Sequence, residues 1–231
     1  MGIGGFLGTV DSWEAFDGKW RKLIADENIP WPFSMKDFVQ AQEDFEDTRW
    51  RDRGERLRIL NLLLAVIEES DVIPVGASVV LADYRGLSLE QQARLKGPYF
   101  IAFQDVTYNI AFGASLLALD PRASVAMVYA KAKKFTGPAE KLWYAIKEHN
   151  PLACQVMSSY TPAEPKDVSP LQAADIWAYS LGRTGEKGPE KSQEAYSSLH
   201  RLMDIAIKKS PGNKFFTLFN REQMLARLGE I

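Results

Sequence analysis

The sequence predicts an α/β layered fold, and three observations predict it. A run rich in Val, Ile and Leu at residues 72–82, and the short buried-type run ASVAMVY at residues 123–129, read as strands. Long stretches with helical apolar spacing, at residues 50–69, 98–119 and 137–150, read as helices. Strands that alternate with long helices argue for a central sheet with helices packed on it.

Each further element follows from local chemistry. The segment GIGGFLG, residues 2–8, reads as a short strand entering a turn. A dinucleotide-binding glycine loop would have to follow a strand and open a helix. A myristoylation signal would need Ser or Thr where Phe6 stands. Asp11 and Ser12 can cap a helix carrying Trp13, Phe16, Trp20, Leu23 and Ile24, and Asn28-Ile29-Pro30 ends it. An aromatic segment, residues 31–38, and an acidic stretch, residues 43–47, follow. Residues 152–158 read as a strand and residues 161–166 as a Pro-rich loop. After the helix of residues 169–183 come a Gly/Lys/Glu-rich linker (184–191), an amphipathic helix (193–208), a short strand (215–218) and a last helix from about Arg221.

The totals bound the class. A chain of 231 residues suits one domain, or one domain with an appendage. With 46% hydrophobic and 25% charged residues it reads as a soluble globular chain. The net charge of −2 gives no global basic footprint for nucleic acid. Cys154 is the single thiol, so no intrachain disulfide can form, and a cytoplasmic location is expected. The apolar run at residues 59–67 is too short to span a bilayer, and no signal peptide is evident, so no membrane partner is expected. His149 and His200 are far apart and lack zinc-site spacing.

The stretch SPLQAADIWAYSLGR, Ser169–Arg183, carries the candidate chemistry. It is apolar nearly all round, yet Asp175 sits in its middle. A buried carboxylate must be paired, hydrogen-bonded or metal-bound. Ser169 is a good N-cap, Pro170 fits the first turn, and Gln172 completes a capping-box spacing. Asp175 then lies about 9 Å along the axis from Ser169. Gln172, Asp175 and Tyr179 share one face, and small Ala residues beside it allow another backbone to come close. Asp167 precedes the cap in a loop that can fold towards the same end. Two carboxylates so placed could hold Mg²⁺ or Mn²⁺. The plainer reading of Asp175 is a partner for an Arg, a backbone group or water.

These residues resemble a known family. VSPLQAADIWAYSLGR is similar to the C-terminal signature of the bacterial domain of unknown function 3800 family, Q-x-A-D followed by an apolar helix. GGFLGTVDSWEAFDGKWRKLI resembles that family's second strand and its helix of spaced tryptophans. PFSMKDF is similar to its F-H-M-x-D-F segment, and GPYFIAFQDV to the start of its long central helix. The matches run in order from Gly4 to about Arg183. The resemblance implies a ribonuclease H-like fold, a mixed central sheet flanked by helices, in residues 1–183. Residues 184–231 would be a helical C-terminal extension packed on it. It also implies a divalent-metal-dependent nuclease that hydrolyses phosphodiesters with carboxylates around the metal. Asp175 would be the main ligand, Asp167 a second and Asp37 a further acid.

The departures from the family pattern weigh against a working site. The family's first strand carries D-E-S-G, and no D-E-S-G occurs here. The sequence starts just before the second strand, as if the chain were shortened or pared down. Ser34 replaces the His of F-H-M, and Lys131, Lys133 and Lys134 stand where relatives often place an acid. Weak or absent activity is therefore expected. The alternative is a catalytically dead module that binds nucleic acid or a protein, or pairs with itself through an open sheet edge.

Other constellations have plainer readings. Asp37 can serve as an N-terminal charge on a short helix. The Lys131–Lys134 cluster reads as a solvated loop, although it could meet phosphates. The six tryptophans sit mostly at core spacing. Cys154 and His149 are close in sequence but carry no catalytic spacing.

Overall fold

The computed structural model describes residues 1–117, 124–131, 135–183, 193–209 and 215–230. The linker expected at residues 184–191, Lys133 and Lys134 lie outside the described residues. In order, the elements are β1 (Gly2–Leu7), α1 (Val10–Asp26), α2 (Met35–Gln40), a 3₁₀ turn (Glu43–Phe45), α3 (Thr48–Arg51), α4 (Arg53–Glu68), β2 (Ile73–Val79), α5 (Leu81–Arg85), α6 (Leu89–Leu95) and α7 (Pro98–Leu117). There follow β3 (Val125–Ala130), α8 (Thr136–His149), α9 (Pro151–Val156), β4 (Met157–Ala163), α10 (Ser169–Arg183), α11 (Gln193–Lys209), β5 (Phe216–Phe219) and α12 (Arg221–Leu228). The fold is α/β, about 65% helical, with a small mixed sheet flanked by helices.

The strands among the described residues form two separate sheets. The larger has the order β1-β2-β5, with β1 antiparallel and β5 parallel to β2. The smaller pairs β3 and β4 in parallel across the α8–α9 crossover. The C-terminal extension therefore supplies a strand as well as helices, because β5 closes the outer edge of β2. Leu202 and Ile205 of α11 join the main apolar cluster with Trp20, Leu63 and Trp177.

Several local expectations are corrected, each for a physical reason. The helix expected over residues 50–69 breaks at Asp52, whose side chain accepts the Glu55 N–H and so caps a new helix. Thr9 rather than Asp11 or Ser12 caps α1, accepting from the Ser12 N–H. The strand expected at residues 152–158 is helix α9 up to Val156. Asn150 accepts the Ala153 N–H, and Pro151 occupies the first turn, so the chain enters a helix here. Residues 161–163, expected as loop, belong to β4. The run at 123–129 is not a fully buried strand. β3 alternates half-buried Val125, Met127 and Tyr129 with exposed Ala126, Val128 and Ala130.

The central feature for the site is the seat of α10 on β1. A Cβ on Gly4 would stand 2.7 Å from the Ala178 nitrogen, and one on Gly2 2.8 Å from the Ala178 carbonyl oxygen. Only strand residues without side chains let the helix axis come this near. Trp177 locks the contact from the helix side, its indole N–H donating to the Val75 carbonyl at 2.9 Å. Small residues at Ala178 and Gly182 complete the close approach.

Candidate functional site

The polar residues of α10 point at the segment that leads into α2. The Asp175 Oδ2 accepts the Met35 backbone N–H at 2.7 Å. Met35 opens α2, and its N-terminal N–H groups have no partner within the helix. Ser34 caps the same helix by accepting from the Asp37 N–H. Two side chains, one local and one from α10, thus satisfy this helix start. Burial pushes the Asp175 carboxyl above the usual range; the Met35 hydrogen bond opposes this and the Asp37 charge adds to it.

Gln172 lies one turn earlier on the same face and is fully buried. Its Oε1 accepts from the Trp20 indole N–H at 3.2 Å and from the Phe33 N–H at 3.0 Å. Its Nε2 donates to the Pro165 carbonyl at 2.9 Å. The capping-box expectation for Gln172 is corrected: its amide is spent on three partners from α1, the aromatic segment and the turn before α10. Ser169 likewise turns its hydroxyl to Asp17 Oδ1 on α1. Gln172 and Asp175 together clasp residues 33–35 onto α10. Behind them Phe33, Phe38, Phe45 and Trp50 pack edge to face, apart from the tilted pair Phe33–Phe38, with ring centroids 5.2–5.9 Å apart.

The three candidate acids occupy different settings. Asp37 is half-buried, and its Oδ1 accepts from the Gln42 side-chain amide at 2.7 Å. Its charge acts on Asp175. Asp167 is exposed in the turn before α10, where its N–H donates to the Glu164 carbonyl at 2.9 Å. Of the two, Asp37 is the acid whose charge reaches Asp175, and like charges there oppose ionisation.

The divalent metal implied by the resemblance does not fit these donors. Among the described residues no three His, Cys, Asp or Glu side chains come together as a metal-holding group. One Asp175 oxygen is engaged by an amide, and its burial favours the protonated acid, whereas a metal needs the carboxylate. What the arrangement does instead is bind backbone: it accepts N–H groups from an entering chain segment.

The remaining candidates have structural partners. Lys131 lies 3.5 Å from Glu164 in an exposed ion pair. The His149 ring meets the Ala145 carbonyl through Nδ1 at 2.8 Å. Cys154 is exposed on α9, not buried in a strand. Trp20, Trp50, Trp143 and Trp177 are core residues. Residue pattern did not single out Met35 as a partner, because its contribution is a backbone N–H. The signal for it was the S-x-x-D cap at Ser34 and Asp37.

Comparison with known proteins adds no relative: no family model, no curated protein and no solved structure matches the chain. Among the described residues no helix is long and apolar enough to cross a membrane.

Proposed function

We propose that this protein is a catalytically silent interaction module built on a ribonuclease H-like scaffold. The order of elements supports the scaffold reading. An antiparallel pair, β1 and β2, is followed by a long helix, a parallel β3–β4 crossover and a closing helix that carries an acid. One observation carries the silent reading: the half-buried Asp175 carboxyl is committed to the Met35 amide, and the charge that acts on it is that of another acid, Asp37. A nuclease site of this class needs ionised acids arranged around a metal.

The test is a Mn²⁺ titration by calorimetry alongside a nuclease assay on single- and double-stranded substrates. Wild type and Asp175→Ala should both fail to bind Mn²⁺ specifically and fail to cleave. Metal-dependent cleavage by wild type that disappears in Asp175→Ala would restore the nuclease reading and overturn this one.

A further inference from the structure

The C-terminal end of α1 and the loop after it frame a cavity of about 360 Å³, lined by Arg21, Ile24, Ala25, Asn28, Ile29 and Trp31. Its floor follows from how α1 stops. The Asn28 N–H donates to the Ala25 carbonyl and the Ile29 N–H to the Ile24 carbonyl, and Asn28 takes a left-handed φ of 49°. This is a Schellman stop, in which the residue after the left-handed one packs back onto the last turn. Ile24 and Ile29 are that apolar pair, only 6% and 5% exposed. The same turn satisfies the Ile24 and Ala25 carbonyls, so they do not compete for a ligand.

Trp31 stands beside this floor and is fixed by two contacts. Its indole N–H donates to the Lys166 carbonyl at 3.2 Å, and the Arg21 guanidinium lies over its ring, 4.8 Å from the centroid. Arg21 gives its Nε–H to Asp17 Oδ2 at 2.8 Å, and the other Asp17 oxygen accepts from the Ser169 hydroxyl at the start of α10. A ligand meets an indole and a guanidinium already in place, which spares it their ordering cost.

Two polar groups are left over for recognition. The Arg21 Nη groups and the Asn28 carboxamide make no hydrogen bond among the described residues. Glycine fills a left-handed helix stop at the least cost, so Asn28 adds a carboxamide that the stop itself does not need. The charges around the rim are already paired: Arg21 with Asp17, Lys22 with Asp26, and Glu27 with Arg49 and Arg58. The negative end of the α1 dipole also lies here and disfavours an anion.

We infer that this cavity takes a flat, uncharged heterocycle with a lactam edge, a ring carbonyl next to a ring N–H. The Asn28 carboxamide matches such an edge at two points: its oxygen accepts the ring N–H and its NH₂ donates to the carbonyl. The Arg21 Nη groups donate to a further ring acceptor. The ring lies on Ile24 and Ile29, and the Trp31 indole closes its side. The inference names a ligand for the interaction reading, but it rests on α1 and Trp31 and stands whether or not the Asp175 site is silent.

The experiment is a nitrogen–proton correlation NMR titration with uridine, whose ring carries a lactam edge, and with 3-methyluridine, whose edge a methyl group blocks. The Trp31 indole signal, assigned by its loss in Trp31→Phe, should move with uridine and stay in place with 3-methyluridine. Asn28→Gly keeps the helix stop, so its melting temperature should not fall, while uridine binding should weaken about tenfold for two lost hydrogen bonds. Oligouridylate that binds more tightly than uridine assigns the ring to a single strand, and equal binding assigns it to a free molecule; both support the lactam site. An unmoved Trp31 signal, an equal response to 3-methyluridine, or unchanged uridine affinity in Asn28→Gly would overturn the inference.

Discussion

Asp175 accepts the amide of Met35 at 2.7 Å across 140 positions of sequence. A side chain in the middle of one helix thereby caps the first turn of another. Asp175→Ala leaves that amide without its acceptor and should cost about 1–3 kcal/mol. Thermal melting checks this, and amide exchange at Met35 should accelerate in the variant.

Asp175→Asn keeps an acceptor for Met35 and removes the charge. Burial raises the folded-state pKa of Asp175 above its unfolded value of about 4. The folded protein then holds more protons than the unfolded chain in that window, so stability contributed by this group falls as pH rises through it. The Asn variant lacks this loss. Its melting temperature should match wild type near pH 4 and exceed it at neutral pH. A difference that grows towards acid pH instead would contradict the assignment.

Gln172→Leu should be among the most damaging conservative-volume changes in α10. It strands the Trp20 indole N–H, the Phe33 N–H and the Pro165 carbonyl at once. Each unsatisfied buried group costs about 1–3 kcal/mol, without simple additivity. In a chain of this size 1 kcal/mol shifts the melting point by about 2–4 °C, so a fall of at least several degrees is expected in a calorimetric scan.

Gly4→Val places a side chain against the backbone and indole of α10, with its Cβ 2.7 Å from the Ala178 nitrogen. The helix must lift or the strand must shift. Soluble yield and the near-ultraviolet signal of Trp177 should both drop, whereas Gly18→Val on the exposed face of α1 should alter neither.

Lys209 ties α11 to the end of α4. Its ammonium donates to the carbonyls of Ile67 and Val72 at 3.0 and 3.1 Å and also to that of Ser70. Lys209→Met keeps the aliphatic stem and deletes the donors. Urea denaturation should show a loss of about 1–3 kcal/mol, with hydrogen exchange fastest in the last turn of α4.

Local chemistry made some of this structure legible in the sequence. Ser169 and Pro170 mark the start of α10, and Val and Ile content marks β2. The acid at Asp175, half-buried in the structure, was visible as a group that needs a partner. Its partner was not, because a backbone amide leaves no residue-type signature. Gln172 was misread because the spacing that builds a capping box also aims a side chain at α1 and the Phe33 loop. Those partners lie 152 and 139 positions away. At α9 the run of residues 152–158 read as a strand, but Asn150 and Pro151 set a helix going.

The pairing of Gly76 with Phe216 joins positions 140 residues apart. On the ribosome, β2 is made long before the segment that covers its far side. Until residues 216–219 emerge, β2 holds only β1, and the row of carbonyls and amides beyond it waits. At translation rates of about 5–20 residues per second this interval lasts several seconds or more. The last strand to be made is thus the one that shuts the sheet, and slowing the ribosome between β2 and β5 would lengthen the time in which a foreign strand could take its place.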